Sequence, residues 1–344
     1  MSGSLALAET LSVVALVPLQ LSDILSLDAV LTILFDGLSK AAVYAMLAMG
    51  LTLIFGLMGV LNFAHGSLTM LGAYLGGLFM LLFVTNSTGG VTRLAVFFVG
   101  LVVVFGLLSA LGGALEVGLI RPLYDRPPIY QILLTFGITL VIDELVRIVV
   151  LFYGLQPVTE WQDAFGTKPD FLASQLEFGP ASVGGMDLFE MLLGALVVAV
   201  VWAFLTRTRY GLVVRAGSED AEMTEALGID VRRVFTTVFA LGAGLAGVAG
   251  MLLMWDSNWG ASVPLATEAL LPAFVVVIIG GLGTFRGTVV AALVVGFADA
   301  VAQWLFVNAI DFPPLPELTV FLALVVMLIL RPQGIFGRAE VGGH

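Results

Sequence analysis

The chain has 344 residues, 60% of them hydrophobic and only 11% charged, with a mean hydropathy of +1.09. A soluble domain carries about 25% charged residues, and no water-soluble fold hides this much apolar surface, so soluble enzymes and nucleic-acid binders are excluded. Cysteine is absent and only two histidines occur, one of them His344. Disulfide frameworks, thiol chemistry, iron–sulfur clusters and multi-histidine metal sites therefore drop out as well. What remains is an all-α polytopic membrane protein, because each apolar run is far longer than a barrel strand needs.

Fourteen basic residues face twenty-five acidic ones, for a net charge of −11, and Lys40 and Lys168 are the only lysines. Such a balance suits a protein bathed in concentrated salt, where self-repulsion is screened within a few ångströms. A salt-loving prokaryotic source is the expectation, with a fold that needs roughly molar salt. Chance acidity in the loops is the other account.

Residues 1–28 read as a peripheral segment. Its apolar run 5–21 is interrupted by Glu9 and Pro18 and lacks the basic start of a signal peptide. A transmembrane domain then fills 29–338, ahead of a short tail at 339–344. Eight or nine spans are predicted, at 30–57, 67–84, 94–117, 129–153, 188–205, 235–255, 269–282, 288–307 and 318–330. The run at 269–282 is short for a crossing and is read as a broken or re-entrant helix. Gly242, Ala246 and Gly250 form a small-residue stripe on one helix face, which favours close helix packing.

Arginine placement sets the orientation. Arg207, Arg209, Arg215, Arg232 and Arg233 lie in the connection 206–233, Arg121 and Arg126 in another, and Arg331 and Arg338 in the tail. Alternating through the spans puts all of these on one side, which must be the cytoplasm, together with the C-terminus. The connection 154–187, with Lys168 as its one basic residue, falls outside.

Three features invite a functional reading. The first, Gly59-Val60-Leu61-Asn62-Phe63-Ala64-His65-Gly66, brings polar groups to a glycine-flanked place where a helix would break, as transporters do to meet polar solutes. A turn with a satisfied histidine answers to the same residues. A related pattern recurs at Gly281-Leu282-Gly283-Thr284-Phe285-Arg286-Gly287 and suggests pseudo-repeated halves. The second is a short helix at 218–229, with Ser218 as N-cap, Glu219, Asp220 and Glu222 in its first turn, and Gly228 as left-handed C-cap before Ile229. Met223, Ala226 and Leu227 share one face. Its acidic side would repel anionic lipid, so a protein groove is the expected partner. The third is a set of charges within spans: Asp143 or Glu144 with Arg147, and Asp36 with Lys40, at helical spacing. Asp299 has no local partner and is the only seed for an ion-driven carrier. Ser67 and His65 lack the orienting third group that a hydrolase needs. No phosphate-loop signature is present, so this chain does not bind ATP in that way.

The segments "GLMGVLNFAHGSLTMLGAY" at 56–74, "TRYGLVVRAGSEDAEMTEALGIDVRRV" at 208–234, "IIGGLGTFRGTVVAALVVG" at 278–296 and "LRPQGIFG" at 330–337 carry a resemblance. Over about 30–338 the chain resembles the permease subunits of branched-chain amino-acid ABC transporters, the LivH/LivM type, and its NFAHG form is more like LivH. The resemblance implies a non-catalytic subunit without cofactors of its own, the ATP being bound by partners. Those partners would be a homologous second permease, two ABC ATPases and an external substrate-binding protein. It implies a solute path at Asn62, Phe63, His65, Gly66, Thr284, Phe285 and Gly287, and ATPase coupling at Arg215, Ser218, Glu219, Met223, Ala226, Leu227 and Gly228. Trp161, Phe165, Phe171 and Phe178 would help receive the binding protein. Permeases for urea and amides share these signatures, so the solute class stays open between them and branched-chain amino acids.

Overall fold

The computed structural model describes residues 26–85, 87–154, 169–219, 221–256, 259–309 and 316–337. The peripheral run 5–21, Trp161, Phe165, Lys168, Asp220, Arg338 and the tail 339–344 lie outside the described residues, as do the side chains of Glu219 and Glu222.

Helix α1 (Leu27–Met58) is the axis of the bundle. Ser26 starts it, its Oγ accepting the Ala29 N–H at 3.2 Å, and Asp28 in the first turn suits the positive end of the helix dipole. Gly59 stops it in the left-handed conformation at φ 64°, donating its N–H to the Phe55 carbonyl. Nearly every residue from Ala41 to Leu57 is buried, so this stretch is wrapped by other helices rather than by lipid.

Helices α2 (Ala64–Phe83), α3 (Gly90–Leu115) and α4 (Pro128–Tyr153) follow. Between α3 and α4 come a π turn (Glu116–Ile120) and a 3₁₀ turn (Arg121–Leu123). A one-turn helix, α5 (Asp170–Ala173), leads into an antiparallel hairpin of β1 (Gln175–Phe178) and β2 (Ala181–Gly184), with Gln175 opposite Gly184. Next are α6 (Gly185–Arg207), α7 (Arg209–Glu219), α8 (Ala221–Ala226) and α9 (Val231–Leu253). Helices α10 (Leu265–Gly280), α11 (Phe285–Gln303), a π turn (Trp304–Ala309) and α12 (Pro316–Leu330) complete the described chain. The hairpin corrects the all-α expectation, since Gly179 (φ 68°) and Pro180 turn the chain back between two short strands.

Each of the nine predicted spans falls on a helix. Six are long and apolar enough to cross a membrane: Leu27–Met58, Ala64–Phe83, Gly90–Leu123, Gly185–Arg207, Val231–Leu253 and Phe285–Val307. Leu265–Gly280 and Leu318–Leu330 are shorter, and α10 carries Pro272 within it.

Helix α11, α6 and α9 pack around α1, and α9 also holds α2 and α3. Lipid tails are as apolar as leucine, so close backbone approach takes over from the hydrophobic effect here. The predicted stripe on α9 is that seam. A Cβ on Gly250 would lie 1.9 Å from the Thr69 carbonyl oxygen of α2, and one on Gly242 would lie 2.7 Å from Ile54 of α1.

The arginine-bearing end is tied by a buried cluster. Glu116 is 0% exposed and accepts two Arg121 N–H bonds at 3.2 and 2.9 Å, while Arg121 also donates to Thr236 of α9 at 2.5 Å. Tyr124 donates its hydroxyl to Glu116 at 2.5 Å, and burial, then that bond, holds its pKa well above the ordinary value.

Lys40 corrects a second expectation. It pairs with Asp299 of α11 at 3.0 Å and not with Asp36, and Tyr44 donates to the same carboxylate at 2.6 Å. The interhelical contact wins because α11 is a main neighbour of α1, and it supplies the partner that Asp299 lacks on its own helix.

Candidate functional site

Three regions collect the polar groups of the bundle. The first is the break between α1 and α2. Helix α2 begins at Ala64 rather than 67, so His65 and Gly66 sit in its first turn. The His65 ring Nε2 meets the Leu47 carbonyl at 2.9 Å; a carbonyl only accepts, so Nε2 carries the proton. Leu47 is about 16 Å short of the Met58 end of α1. Residues 59–63 therefore fold back into the bundle, and α2 starts at depth.

Asn62 makes that start possible. Its Oδ1 accepts the Ala64 N–H at 3.1 Å, satisfying a donor the new helix leaves open. Thr135 of α4 closes the loop from the other side, donating to the Leu61 carbonyl at 3.2 Å and accepting the Phe63 N–H at 3.3 Å. One turn on, Ser67 donates to Asp143 of α4 at 2.6 Å. Asn62 and His65 are fully buried, and Asn62 Nδ2 and His65 Nδ1 have no hydrogen-bond partner among the described residues. The Phe63 ring lies against Phe274 at 5.2 Å and Phe136 at 6.3 Å between centroids. A Cβ on Gly66 would sit 1.9 Å from the Ala266 carbonyl of α10, so only glycine fits there.

The second glycine pattern lies apart from the first. Thr284 opens α11 and donates to the Gly281 carbonyl at 2.7 Å, while Gly287 packs on the Gly280 backbone and Phe285 is half-buried. Gly283 and Thr288 meet Gly56 and Thr52 of α1, on the opposite flank from Leu47 and Gly50, which face His65. Thr284, Phe285 and Gly287 are thus not brought together with Asn62, Phe63, His65 and Gly66. The turn is latched instead by the end of the described chain: Ile335 N–H donates to the Ile279 carbonyl at 2.7 Å and Phe336 N–H to that of Gly280 at 3.1 Å.

At the arginine-bearing end, α7 packs on α6, α1 and α9 with Gly211, Val214 and Gly217 buried, and α8 follows it. Ser218 is not the N-cap of α8. It sits in the last turn of α7, where its hydroxyl donates to the Arg215 carbonyl at 2.8 Å, and α8 begins only at Ala221. Gly228 does act as the C-cap, at φ 84°, with its N–H on the Glu225 carbonyl. Thr224 and Ile229 face inward, whereas Met223 is 59% and Leu227 75% exposed, and Ala226 and Arg215 are exposed too.

Composition and spacing missed the third region. A cavity of about 720 Å³ opens at the hairpin end of the bundle, lined by Lys40, Tyr44, Glu190, Glu268 and Asp299 among others. Ser39 donates to Glu190 there at 2.7 Å. Phe178 of β1 stacks near Phe35 at 5.3 Å, so the hairpin covers this end of α1, with Phe171 and Phe178 exposed. The available sign was Asp299, a carboxylate in a span without a local partner. Among the described residues no group of His, Asp and Glu has the makings of a metal site.

A bundle of lipid-length helices with a helix broken at depth, polar residues around the break and a short helix pair at the arginine-bearing end is a polytopic membrane protein of the transporter kind. Residues 33–330 match the family model described as branched-chain amino acid transport system / permease component, and the chain belongs to that family. It is 29% identical to the high-affinity branched-chain amino acid transport system permease protein BraD of Pseudomonas aeruginosa, over 90% of this chain and 96% of that one. The LivH permease of Escherichia coli is 28% identical over the same shares. The LivM permease of Escherichia coli is also 28% identical, over 85% of this chain and 67% of its own length.

Proposed function

We propose that the chain is a membrane permease subunit of an importer for branched-chain amino acids, powered by separate ATPases. The family match over 33–330 carries the reading. The exposed Met223 of α8 and Leu227 just after it support it, because apolar side chains presented at the arginine-bearing end suit a docking groove on an ATPase. In this reading that end is cytoplasmic and the hairpin end faces an external binding protein, in a salt-rich cell. A second permease completes the translocation unit, with eight or nine spans in each chain, and this subunit performs no chemistry. Reconstitution of the complex in vesicles tests it: leucine uptake should require ATP, the ATPases and the binding protein. Uptake by this chain alone, or uptake that follows an ion gradient, would falsify the reading.

The buried start of α2 takes the role of a pivot beside the route. Asn62→Leu removes the cap on Ala64 and leaves an N–H open at depth, a loss of about 1 kcal/mol or more. It should lower uptake at least several-fold while the complex still assembles. Normal uptake would take 62–66 out of the mechanism.

A further inference from the structure

Helix α4 is of spanning length but is not among the six helices apolar enough to cross, because it carries charges on its exposed face. The Ser67–Asp143 bond fixes its depth, because Ser67 lies just beyond His65, level with the middle of α1. Glu144, next in sequence, is about 24 Å along α4 from Pro128 and about 14 Å short of Tyr153. With a hydrocarbon core about 30 Å thick centred on α4, this position would lie inside it. Glu144 is 61% and Arg147 59% exposed by side chain, and their closest approach, Nε to Oε2, is 3.6 Å.

Two observations decide what faces them. An arginine nine ångströms or so from a helix end usually extends toward that end to reach water. Arg147 instead turns back toward Glu144, one turn deeper. The gap of 3.6 Å is also longer than the 2.7–2.9 Å of a closed charge-assisted bond, so both groups keep donors and acceptors for a third party. An exposed pair of this kind adds little to stability. Charges at membrane depth face a bundle interior or a water-filled space.

We infer that this face of α4 is a wall of the solute route, and that Glu144 and Arg147 together form a subsite for the zwitterionic head of an amino acid. The inference rests on the transport reading above. The α-carboxylate would lie on the Arg147 guanidinium, and the α-ammonium on the Glu144 carboxylate. Leu140 and Ile148, one turn to either side and 56% and 53% exposed, would receive an aliphatic side chain. Asp143 is the positioning residue, its bond to Ser67 anchoring α4 on α2 at this level. A charged pair bordered by leucine and isoleucine complements a solute that is charged at one end and branched aliphatic at the other.

The absence of cysteine makes a direct test possible. In the reconstituted complex, Leu140→Cys and Ile148→Cys should react with a membrane-impermeant, charged methanethiosulfonate reagent. Saturating leucine, supplied with the binding protein and ATP, should slow labelling by about tenfold at about ten times the dissociation constant. Glu144→Gln or Arg147→Gln, added to either reporter, should abolish that protection while leaving labelling without leucine unchanged. No labelling at both positions, labelling without protection, or protection indifferent to both glutamine variants would each overturn the subsite. Two reporters guard against one failing to assemble. Leucine uptake by the unmodified complex is scored separately, so a subsite that fails in a working leucine importer is told apart from a complex that imports no leucine.

Discussion

Replacing Met223 and Leu227 together by aspartate should stop leucine uptake by the assembled transporter while leaving the membrane bundle folded. Both side chains are largely exposed, Met223 on α8 and Leu227 just past its end, and the groups that seat this helix, Thr224 inward and the Gly228 cap, are untouched. Surface substitutions of this kind move stability by about 0.5 kcal/mol or less. Docking is different. Burying a methionine or leucine in a groove is worth about 1.5–3 kcal/mol each, and the new carboxylates would have to give up their water as well. A combined loss above about 4 kcal/mol is roughly a thousandfold in affinity. Uptake in vesicles, ATP hydrolysis and the thermal midpoint of the purified chain are the measurements. Unchanged uptake defeats the docking claim, and a collapsed midpoint would show that α8 is structural.

The second large effect is steric. Gly250→Ala puts a methyl 1.9 Å from the Thr69 carbonyl, with the Ala73 backbone nitrogen at 2.9 Å, so α2 and α9 must move apart. Overpacking of this kind costs about 1–3 kcal/mol, and here backbone rather than a flexible side chain has to yield. The same change at Gly106, where nothing lies within 4 Å, should be neutral or stabilise α3 by up to about 1 kcal/mol through helix propensity. The purified complex should therefore melt several degrees lower with Gly250→Ala and no lower with Gly106→Ala. Equal behaviour of the two would mean that the α2–α9 seam is not as close as its glycines indicate.

The helices were readable in the sequence because membrane depth demands long apolar runs, and each of the nine predicted spans falls on a helix. The small residues of α9 and the Gly228 cap were readable for a related reason: each is a local requirement met by one residue type. What escaped were pairings across the chain. Local spacing offers Asp36 to Lys40, but α11 packs on α1 and brings Asp299, which also takes the hydroxyl of Tyr44 from 255 residues away. Ser218 looks like a cap from its type and position, yet a serine hydroxyl bonds equally well to a carbonyl three residues back, and α7 claimed it. The break at 59–63 was legible from its flanking glycines and Asn62, but its depth was not. Its depth comes from the His65 bond to Leu47, which no spacing rule contains. The hairpin had a sign, Gly179-Pro180 between two short β-prone stretches, that charge counting passed over.

The pairing of Ile335 and Phe336 with the last carbonyls of α10 has a practical corollary for anyone handling this protein. Neither carbonyl has a partner within its own helix, so a stop codon placed after Leu330 would leave that of Ile279 without a donor and that of Gly280 with the Thr284 hydroxyl alone, loosening the α10–α11 turn. Reporter fusions and affinity tags belong downstream of Gly337, where they leave that clasp closed.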